Sequence, residues 1–230
     1  HEVRKVTEEG AEQVPGEADS VVGKPDDHRV GRLAARRPEE LQAKSPDLER
    51  HLVALDSHDE LTFFETLTAT ALSFFSKRKV DMAVLEVGLG GRLDAVNLLD
   101  ADAVLVTSIG LDHTEWLGDT LDAIAREKAG VLRHGRPAVF AEAVVPEGFL
   151  PAAEESGAVV SYMGKDYSFS YTPDGWRWQM GDVSLELPFP GMAGDYQVQN
   201  AAAVVTLLHL VAERLPVRPE ALADGLRTAV

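Results

Sequence analysis

Short apolar segments alternate with helical segments after residue 60, and this alternation limits the fold more strongly than any other feature of the sequence. Residues 82–87 and 103–109 are short, apolar and rich in branched side chains, as is typical of strands buried on both faces. Residues 137–140 form a third short strand pattern. Strands that alternate with helices favour right-handed crossovers. The sequence therefore predicts an α/β domain with a mainly parallel sheet flanked by helices.

The predicted helices have recognisable ends. Thr62-Phe-Phe-Glu65 resembles a capping box, in which the Thr62 hydroxyl accepts from the amide three residues later and Glu65 reaches back. A helix should follow to about Ser76. Asp119 is suited to cap a second helix that ends at Arg133. Further helices are predicted over residues 146–156, 201–215 and 218–230.

Residues 158–188 follow a different pattern. Residues 167–171 and 176–180 each alternate between apolar, mostly aromatic, side chains and polar ones, as is typical of strands. Pro173-Asp-Gly175 between them is a turn signal. A second turn then leads into residues 183–187. This pattern predicts a small antiparallel β meander that packs beside the parallel sheet.

Residues 1–60 differ from the rest of the chain. The remainder contains all 8 Phe, 4 Tyr and 3 Trp, and the first 60 residues show only a weak helical spacing, over residues 38–55. Such a composition is typical of solvated, loosely structured chain. We therefore expect residues 1–60 to form a divergent, poorly ordered segment and residues 61–230 to form the folded domain. The chain begins with His1 rather than Met, which suggests a fragment.

Composition argues against several classes of protein. Acidic residues outnumber basic ones by 38 to 22, and the formal charge of −16 disfavours nucleic-acid and membrane-surface partners. Without cysteine there is no disulfide, thiolate zinc site or cysteine nucleophile. The longest apolar stretch, residues 201–212, has about 12 residues, whereas a membrane span needs about 20. With a charged start in place of a signal peptide, these features predict a soluble protein.

Polar residues with possible chemistry follow two of the predicted strands. Glu86 lies near the end of residues 82–87, where burial of a carboxylate is costly unless it is paired, protonated or bound to a metal. His113 emerges after the next strand at the same sheet edge, which is where open parallel sheets bind ligands. A carboxylate and an imidazole at adjacent strand ends are plausible ligands of a divalent cation. A structural ion pair for Glu86 and a structural role for His113 remain open.

A glycine-rich segment, residues 88–94, follows Glu86 and is called the glycine loop below. Such a loop lets the backbone approach a ligand closely, although a plain turn explains it equally well. It is not a phosphate-binding P-loop, because no G-x-x-x-x-G-K-[ST] string occurs anywhere in the chain. From the residues alone, Lys128 is an exposed lysine paired with a neighbouring acid, and Asn200 is a helix cap.

Five segments in a fixed order together resemble a known family. Residues 85–97, 107–118 and 124–130 strongly resemble the dihydrofolate synthase/folylpolyglutamate synthase family of the Mur-ligase superfamily. Residues 61–65 and 199–203 fit the same family in the expected order. The resemblance covers residues 61–230 and is greatest to the bifunctional bacterial type.

The resemblance implies a Mur-ligase central domain and an ADP-forming ligase of cytoplasmic folate synthesis. ATP would phosphorylate the carboxylate of dihydropteroate, or the γ-carboxylate of a folate, and the amine of L-glutamate would attack the resulting acyl phosphate. Mg²⁺ would offset the charge on the phosphates. The family also implies a monomer.

The resemblance implies roles for individual residues as well. Glu86 and His113 would be magnesium ligands. Lys128 would be a carbamylated lysine, in which the cation becomes an anion that helps to hold the metal. Asn200 would contact ATP. The pterin substrate would be contacted by Thr62, Leu93, Asp94 and Ala95.

Two departures from the family concern the activity of this chain. The family's P-loop should precede residue 61, and residues 1–60 resemble nothing in the family, so they are either divergent or an out-of-frame translation. The chain also ends before the family's C-terminal domain. We therefore expect it neither to hydrolyse ATP nor to add glutamate. The alternatives are a non-catalytic pterin- or nucleotide-binding remnant and a Mur-type peptidoglycan ligase, against which residues 86–94 argue.

Overall fold

The computed structural model describes residues 30–35, 62–194 and 196–229. Residues 62–84 belong to one compact unit, and residues 30–35 together with the described residues from 85 onward belong to another. Within residues 1–60 the structure describes only the strand β1 (Val30–Ala35). The helix predicted over residues 38–55 lies outside the described residues, and the boundary at residue 60 stays a prediction.

The first unit contains the helix α1 (Phe63–Arg78), which begins with the predicted capping box. The Thr62 hydroxyl accepts from the Glu65 amide at 3.3 Å, and the Glu65 carboxylate accepts from the Thr62 amide at 2.8 Å. These two bonds satisfy amides at the helix start. The helix runs two residues beyond the predicted end at Ser76 and stops at Lys79, which adopts a left-handed conformation with φ 54°.

The larger sheet consists of β1 and of β2 (Met82–Glu86), β3 (Ala103–Val106), β4 (Pro137–Phe140) and β5 (Val159–Tyr162), in the strand order β2-β1-β3-β4-β5. All of its residues except the first three of β2 belong to the second unit. Strand β3 pairs in parallel with β4, and β4 pairs in parallel with β5, whereas β1 is antiparallel to β3. The prediction of a mainly parallel sheet flanked by helices is thus confirmed. Strand β5 lies within residues 158–188, the segment of the predicted meander. It belongs to this sheet instead, because it pairs with β4.

Burial differs sharply between the central and edge strands of this sheet. Val139 and Phe140 of β4 are completely buried, because a parallel strand in the middle of a sheet is covered on both faces. Strand β2 was predicted to be buried on both faces, and this is wrong: Val84 is 44% exposed, and Glu86 is exposed as well. The reason is that β2 lies at the edge of the strand order. The apolar run 103–109 also forms a shorter strand than predicted, because β3 ends at Val106.

Two helix starts differ from the predictions. Helix α3 (Leu121–Ala129) is capped by Thr120, whose hydroxyl accepts from the Ala123 amide at 3.2 Å, and not by Asp119. Helix α5 (Gln197–Leu210) starts ahead of Asn200, so this residue lies inside the first turn and is not the cap. The helices of the second unit are α2 (Thr114–Leu117), α3 (Leu121–Ala129), α4 (Phe149–Ser156), α5 (Gln197–Leu210) and α6 (Pro219–Thr228), with a 3₁₀ helix at Ala95–Leu98.

The predicted meander is confirmed as a separate antiparallel sheet of β6 (Tyr167–Thr172), β7 (Gly175–Met180) and β8 (Val183–Leu187). Helix α5 packs on β3 and β4 of the first sheet and on β6 and β7 of the meander. Trp178 is completely buried, and its Nε1 donates to the Thr206 hydroxyl of α5 at 2.8 Å. That hydroxyl donates in turn to the Ala202 carbonyl at 2.8 Å. One helix therefore joins the two sheets.

Membrane insertion has no support in the described helices, since none combines the length and apolar composition that a crossing requires.

Replacing Thr206 with valine tests the link between α5 and the meander. The change leaves the buried Trp178 N–H without its acceptor, so we expect the free energy of unfolding to fall by about 1–3 kcal/mol. Urea denaturation followed by circular dichroism measures this loss. Thr70→Val on the exposed side of α1 is the matched control and should change stability by no more than about 0.5 kcal/mol. Equal losses in the two variants would contradict the assigned role of the buried hydroxyl.

Candidate functional site

The glycine loop is organised around the carboxylate of Asp94. One oxygen accepts from the amides of Gly88 at 2.9 Å and Leu89 at 3.1 Å, and the other accepts from the Val96 amide at 3.0 Å. A single side chain thus joins both ends of the loop and caps the 3₁₀ helix that follows. Leu93 beside it is 80% exposed, and Ala95 is half-buried. Asp94 therefore fixes the loop's shape, while Leu93 is open to a ligand.

The loop lies directly against α3 and α2, and its glycines make this approach possible. A Cβ at Gly91 would lie 2.8 Å from the Glu127 carbonyl oxygen and 3.3 Å from the Cα of Lys128. A Cβ at Gly90 would lie 2.8 Å from a methyl of Leu117. The backbone of α3 excludes a side chain at Gly91 on steric grounds, and the positive φ of 68° disfavours one at Gly90. The sequence indicated a close backbone approach to a ligand, and here the glycines allow close approach to two helices.

Lys128 lies on α3 and is only 5% exposed, so the interpretation of an exposed lysine is wrong. Burial lowers the pKa of its amine to about 8, and the nearby charge of Asp112 partly opposes this effect. A buried amine with such a pKa is neutral in a much larger fraction of molecules than an ordinary lysine. Neutral amines are nucleophiles, which gives this position a chemistry that its sequence context did not reveal.

His113 follows β3 and precedes α2, in a left-handed conformation with φ 49°. Its amide donates to one carboxylate oxygen of Asp112 at 2.8 Å, and its Nε2 lies 3.5 Å from the other. Both side chains are about half exposed. Asp112 therefore acts on both His113 and Lys128. The sequence analysis did not single out this residue, although its position next to a candidate ligand was a signal.

The remaining predicted residues occupy three different places. Glu86 is the exposed last residue of β2. Asn200 is half-buried in the first turn of α5, where its backbone N–H donates to the Tyr196 carbonyl at 3.0 Å. Thr62 belongs to the first unit, and its hydroxyl and amide take part in the capping box. The structure thus brings together the glycine loop and α3, which carries Lys128. The charge of Asp112 acts on that lysine, and its carboxylate also lies beside His113.

The donors fit magnesium only in part. Across residues 62–194 and 196–229, no three His, Asp or Glu side chains are grouped closely enough to hold a metal ion. Glu86 and His113 are the two predicted donors, and Lys128 becomes one only as an anionic carbamate. Proteins commonly hold Mg²⁺ with one or two carboxylates, substrate phosphates and water. The Glu86 carboxylate and the His113 imidazole are donor types that can bind Mg²⁺, and phosphate and water would have to supply the remaining ligands.

Comparison with protein-family models gives no match. The curated proteins to which the chain is similar include two dihydrofolate synthase/folylpolyglutamate synthases. The one from Escherichia coli is 41% identical over 171 residues, which are 74% of this chain and 39% of the relative. The one from Haemophilus influenzae is 43% identical over 162 residues, which are 67% of this chain and 37% of the relative. The chain thus spans about two fifths of the length of these relatives.

Solved structures agree with this similarity. Escherichia coli FolC in complex with DHPP and ADP matches with a TM-score of 0.69 and 40% identity, over 74% of this chain and 40% of that one. The bifunctional folylpolyglutamate synthase/dihydrofolate synthase with Mn, AMPPNP and L-glutamate bound matches with a TM-score of 0.67 and 44% identity. The match covers 74% of this chain and 40% of the chain in that structure. Yersinia pestis provides a further example at a TM-score of 0.69 and 42% identity, over 78% of this chain and 43% of that one.

Replacing Lys128 with methionine tests the burial of its amine. Between the folded pKa of about 8 and the ordinary value of 10.5, the unfolded chain binds more protons than the folded chain. The stability of the unchanged protein should therefore rise as the pH increases from 8 to 10.5. Lys128→Met removes the buried cation and should raise the free energy of unfolding at pH 7 by about 1–3 kcal/mol. The gain should shrink as the pH increases through this range.

Urea denaturation at a series of pH values measures both effects. Lys77→Met, at an exposed position of α1, is the matched control and should give no gain beyond about 0.5 kcal/mol. A Lys128→Met gain that is absent, or that does not depend on pH, would show that the amine is solvated.

Proposed function

Because the chain belongs to the dihydrofolate synthase/folylpolyglutamate synthase family, with its Mur-ligase-type fold, we propose that it is the central segment of a ligase of folate synthesis. The whole enzyme would use ATP to add L-glutamate to dihydropteroate, to folylpolyglutamates, or to both. The observation that carries this proposal is the 41% identity over 171 residues. A Mur-type peptidoglycan ligase is disfavoured, because both curated relatives above are folate ligases.

The proposed reaction needs two steps because a carboxylate is a poor electrophile. The γ-phosphoryl group of ATP passes to a carboxylate oxygen of the pterin substrate, giving an acyl phosphate and ADP. The amine nitrogen of glutamate then attacks the carbonyl carbon. An amide bond forms, inorganic phosphate leaves with the electrons of the broken C–O bond, and the amine loses a proton. Mg²⁺ supplies positive charge beside the phosphates when it is bound.

Lys128 supports the proposal through its buried amine. Carbamylation requires a neutral amine to attack carbon dioxide, and burial lowers the pKa of Lys128 to about 8. The product is an anion, which would hold Mg²⁺ together with Glu86 and His113. A buried position also keeps bulk water away from the carbamate. The lysine would then serve as a metal ligand rather than as a cation.

The substrate residues follow from the same family membership. Leu93, Asp94 and Ala95 of the loop region, with Thr62, would contact the pterin. The exposed side chain of Leu93 offers apolar surface for a planar ring, and Asp94 keeps the backbone around it in place. Asn200 would contact ATP. We propose a cytoplasmic monomer that acts on these small molecules, without nucleic acid or membrane as a partner.

The 230 residues alone are proposed to be inactive, because no P-loop string occurs in them. This absence favours a second candidate function, which is binding of a pterin or nucleotide without turnover. With Mg²⁺, ATP, dihydropteroate and L-glutamate present, the chain should release no ADP above a blank without protein. A coupled assay for ADP measures this. Release that depends on both magnesium and dihydropteroate would contradict the proposed inactivity.

Replacing Asp94 with asparagine tests the pterin site by calorimetry. The new amide group places N–H donors against the amides that Asp94 accepts from, so the loop should lose its shape. We expect the Kd for dihydropteroate to rise about ten-fold, as for a lost charged hydrogen bond. Asp174→Asn, at the exposed turn between β6 and β7, should leave the Kd unchanged. No heat of binding to the unchanged chain would contradict the pterin site.

A further inference from the structure

Glu127 occupies an unfavourable position on α3. It lies in the last turn of the helix, where the negative end of the helix dipole disfavours a carboxylate. A contact outside the helix offsets this disadvantage. Both carboxylate oxygens accept from Arg92 Nε at 3.2 Å, and one also accepts from Arg92 Nη2 at 3.1 Å. The guanidinium of the glycine loop thus holds the carboxylate through two of its nitrogens.

The same two residues are also joined through their backbones. The Arg92 amide donates to the Glu127 carbonyl at 3.0 Å. Gly130, just past the end of α3, lies so close to Arg92 that an added Cβ would collide with it. The Asn97 side-chain amide donates to the Arg92 carbonyl at 2.9 Å and to the Gly130 carbonyl at 3.1 Å. Arg92 is therefore the point at which the loop is attached to the helix.

We propose that Arg92 and Glu127 form a positioning pair that fastens the glycine loop to α3 and thereby sets the position of Leu93 and Asp94 for the pterin substrate. The pair acts through the loop and does not touch the reacting atoms. The proposal rests on the proposed function only in its choice of substrate. The attachment itself is independent of that choice.

The exposure of the pair separates a positioning role from a structural one. Arg92 is 55% exposed and Glu127 is 27% exposed, and ion pairs this accessible contribute little to global stability. Removal of either charge should leave the core and its unfolding free energy almost unchanged. Instead, only the loop should become more mobile, because its amide hydrogen bonds form only while the loop backbone stays in place.

The test measures hydrogen exchange of individual amides in Glu127→Gln, Arg92→Gln and the double variant. The amides of Gly88, Leu89 and Arg92 report on the loop, because they donate to Asp94 or Glu127. Each single variant should increase their exchange rates about two- to five-fold, as for loss of a favourable exposed pair. The double variant should exchange no faster than the single variants, because the second change removes a partner that has already lost its pair.

Glutamine at position 127 removes an acid from the end of α3 and does not weaken the helix. Faster loop exchange in Glu127→Gln therefore reports the lost pair. Glu155→Gln, at an exposed position of α4, is the matched control and should leave the loop amides unchanged. Amides of β7 report on global opening. The proposal is overturned if loop exchange is unchanged in both single variants, if β7 changes equally, or if the two effects simply add.

Calorimetric titration with dihydropteroate tests the substrate part of the proposal. The two single variants should raise its Kd about two- to five-fold relative to the unchanged chain, while Glu155→Gln should not. An unchanged Kd in both variants overturns positioning of the loop for substrate. If the unchanged chain itself shows no binding, the pterin site fails, and the exchange measurement alone decides whether the pair holds the loop.

Discussion

The candidate site depends on how closely the glycine loop approaches α3. Any side chain at Gly91 would push against the Glu127 carbonyl, and one at Gly130 would collide with Arg92. With both positions free of side chains, two backbones come into contact and the Arg92 amide reaches its acceptor. The same contact brings the loop close to Lys128, since a Cβ at Gly91 would lie 3.3 Å from the lysine Cα. A steric condition at two glycines thus allows the loop backbone to contact the helix that carries Lys128.

The fold was predictable where the signals are local. The capping box at Thr62, the alternation in the meander and the third apolar strand are each contained in a few neighbouring residues, and all three are confirmed. Burial of β2 was wrong, because exposure depends on where a strand lies within a sheet and not on its composition. The start of α3 was also wrong. Asp119 and Thr120 are both good caps, and backbone geometry rather than residue type selected Thr120.

The sequence patterns selected the candidate site residues, and they carried little information about the surroundings of each residue. Glu86 and His113 were predicted to follow adjacent strands, and this is wrong, because β1 lies between β2 and β3 in the sheet. Strand β1 comes from residues 30–35, which are distant in sequence from both residues. The burial of Lys128 and the contacts of Asp112 arise from a helix and a loop that are distant in sequence, and no local pattern reports them. The pattern itself suggested Glu86 and His113 as ligands of a divalent cation, whereas the binding roles of the other residues came from family resemblance. Those roles stay predictions.

Helix α5 has a consequence for the order in which this chain acquires its structure during synthesis. The two sheets share this helix, and both precede it along the chain. Until residues 197–210 have left the ribosome, Trp178 has no hydroxyl to bind and the meander has no partner for its apolar face. The strands before α5 must therefore persist for a time with apolar surface in water. The nascent chain therefore exposes most apolar surface, and is most prone to aggregate, just before α5 is synthesised.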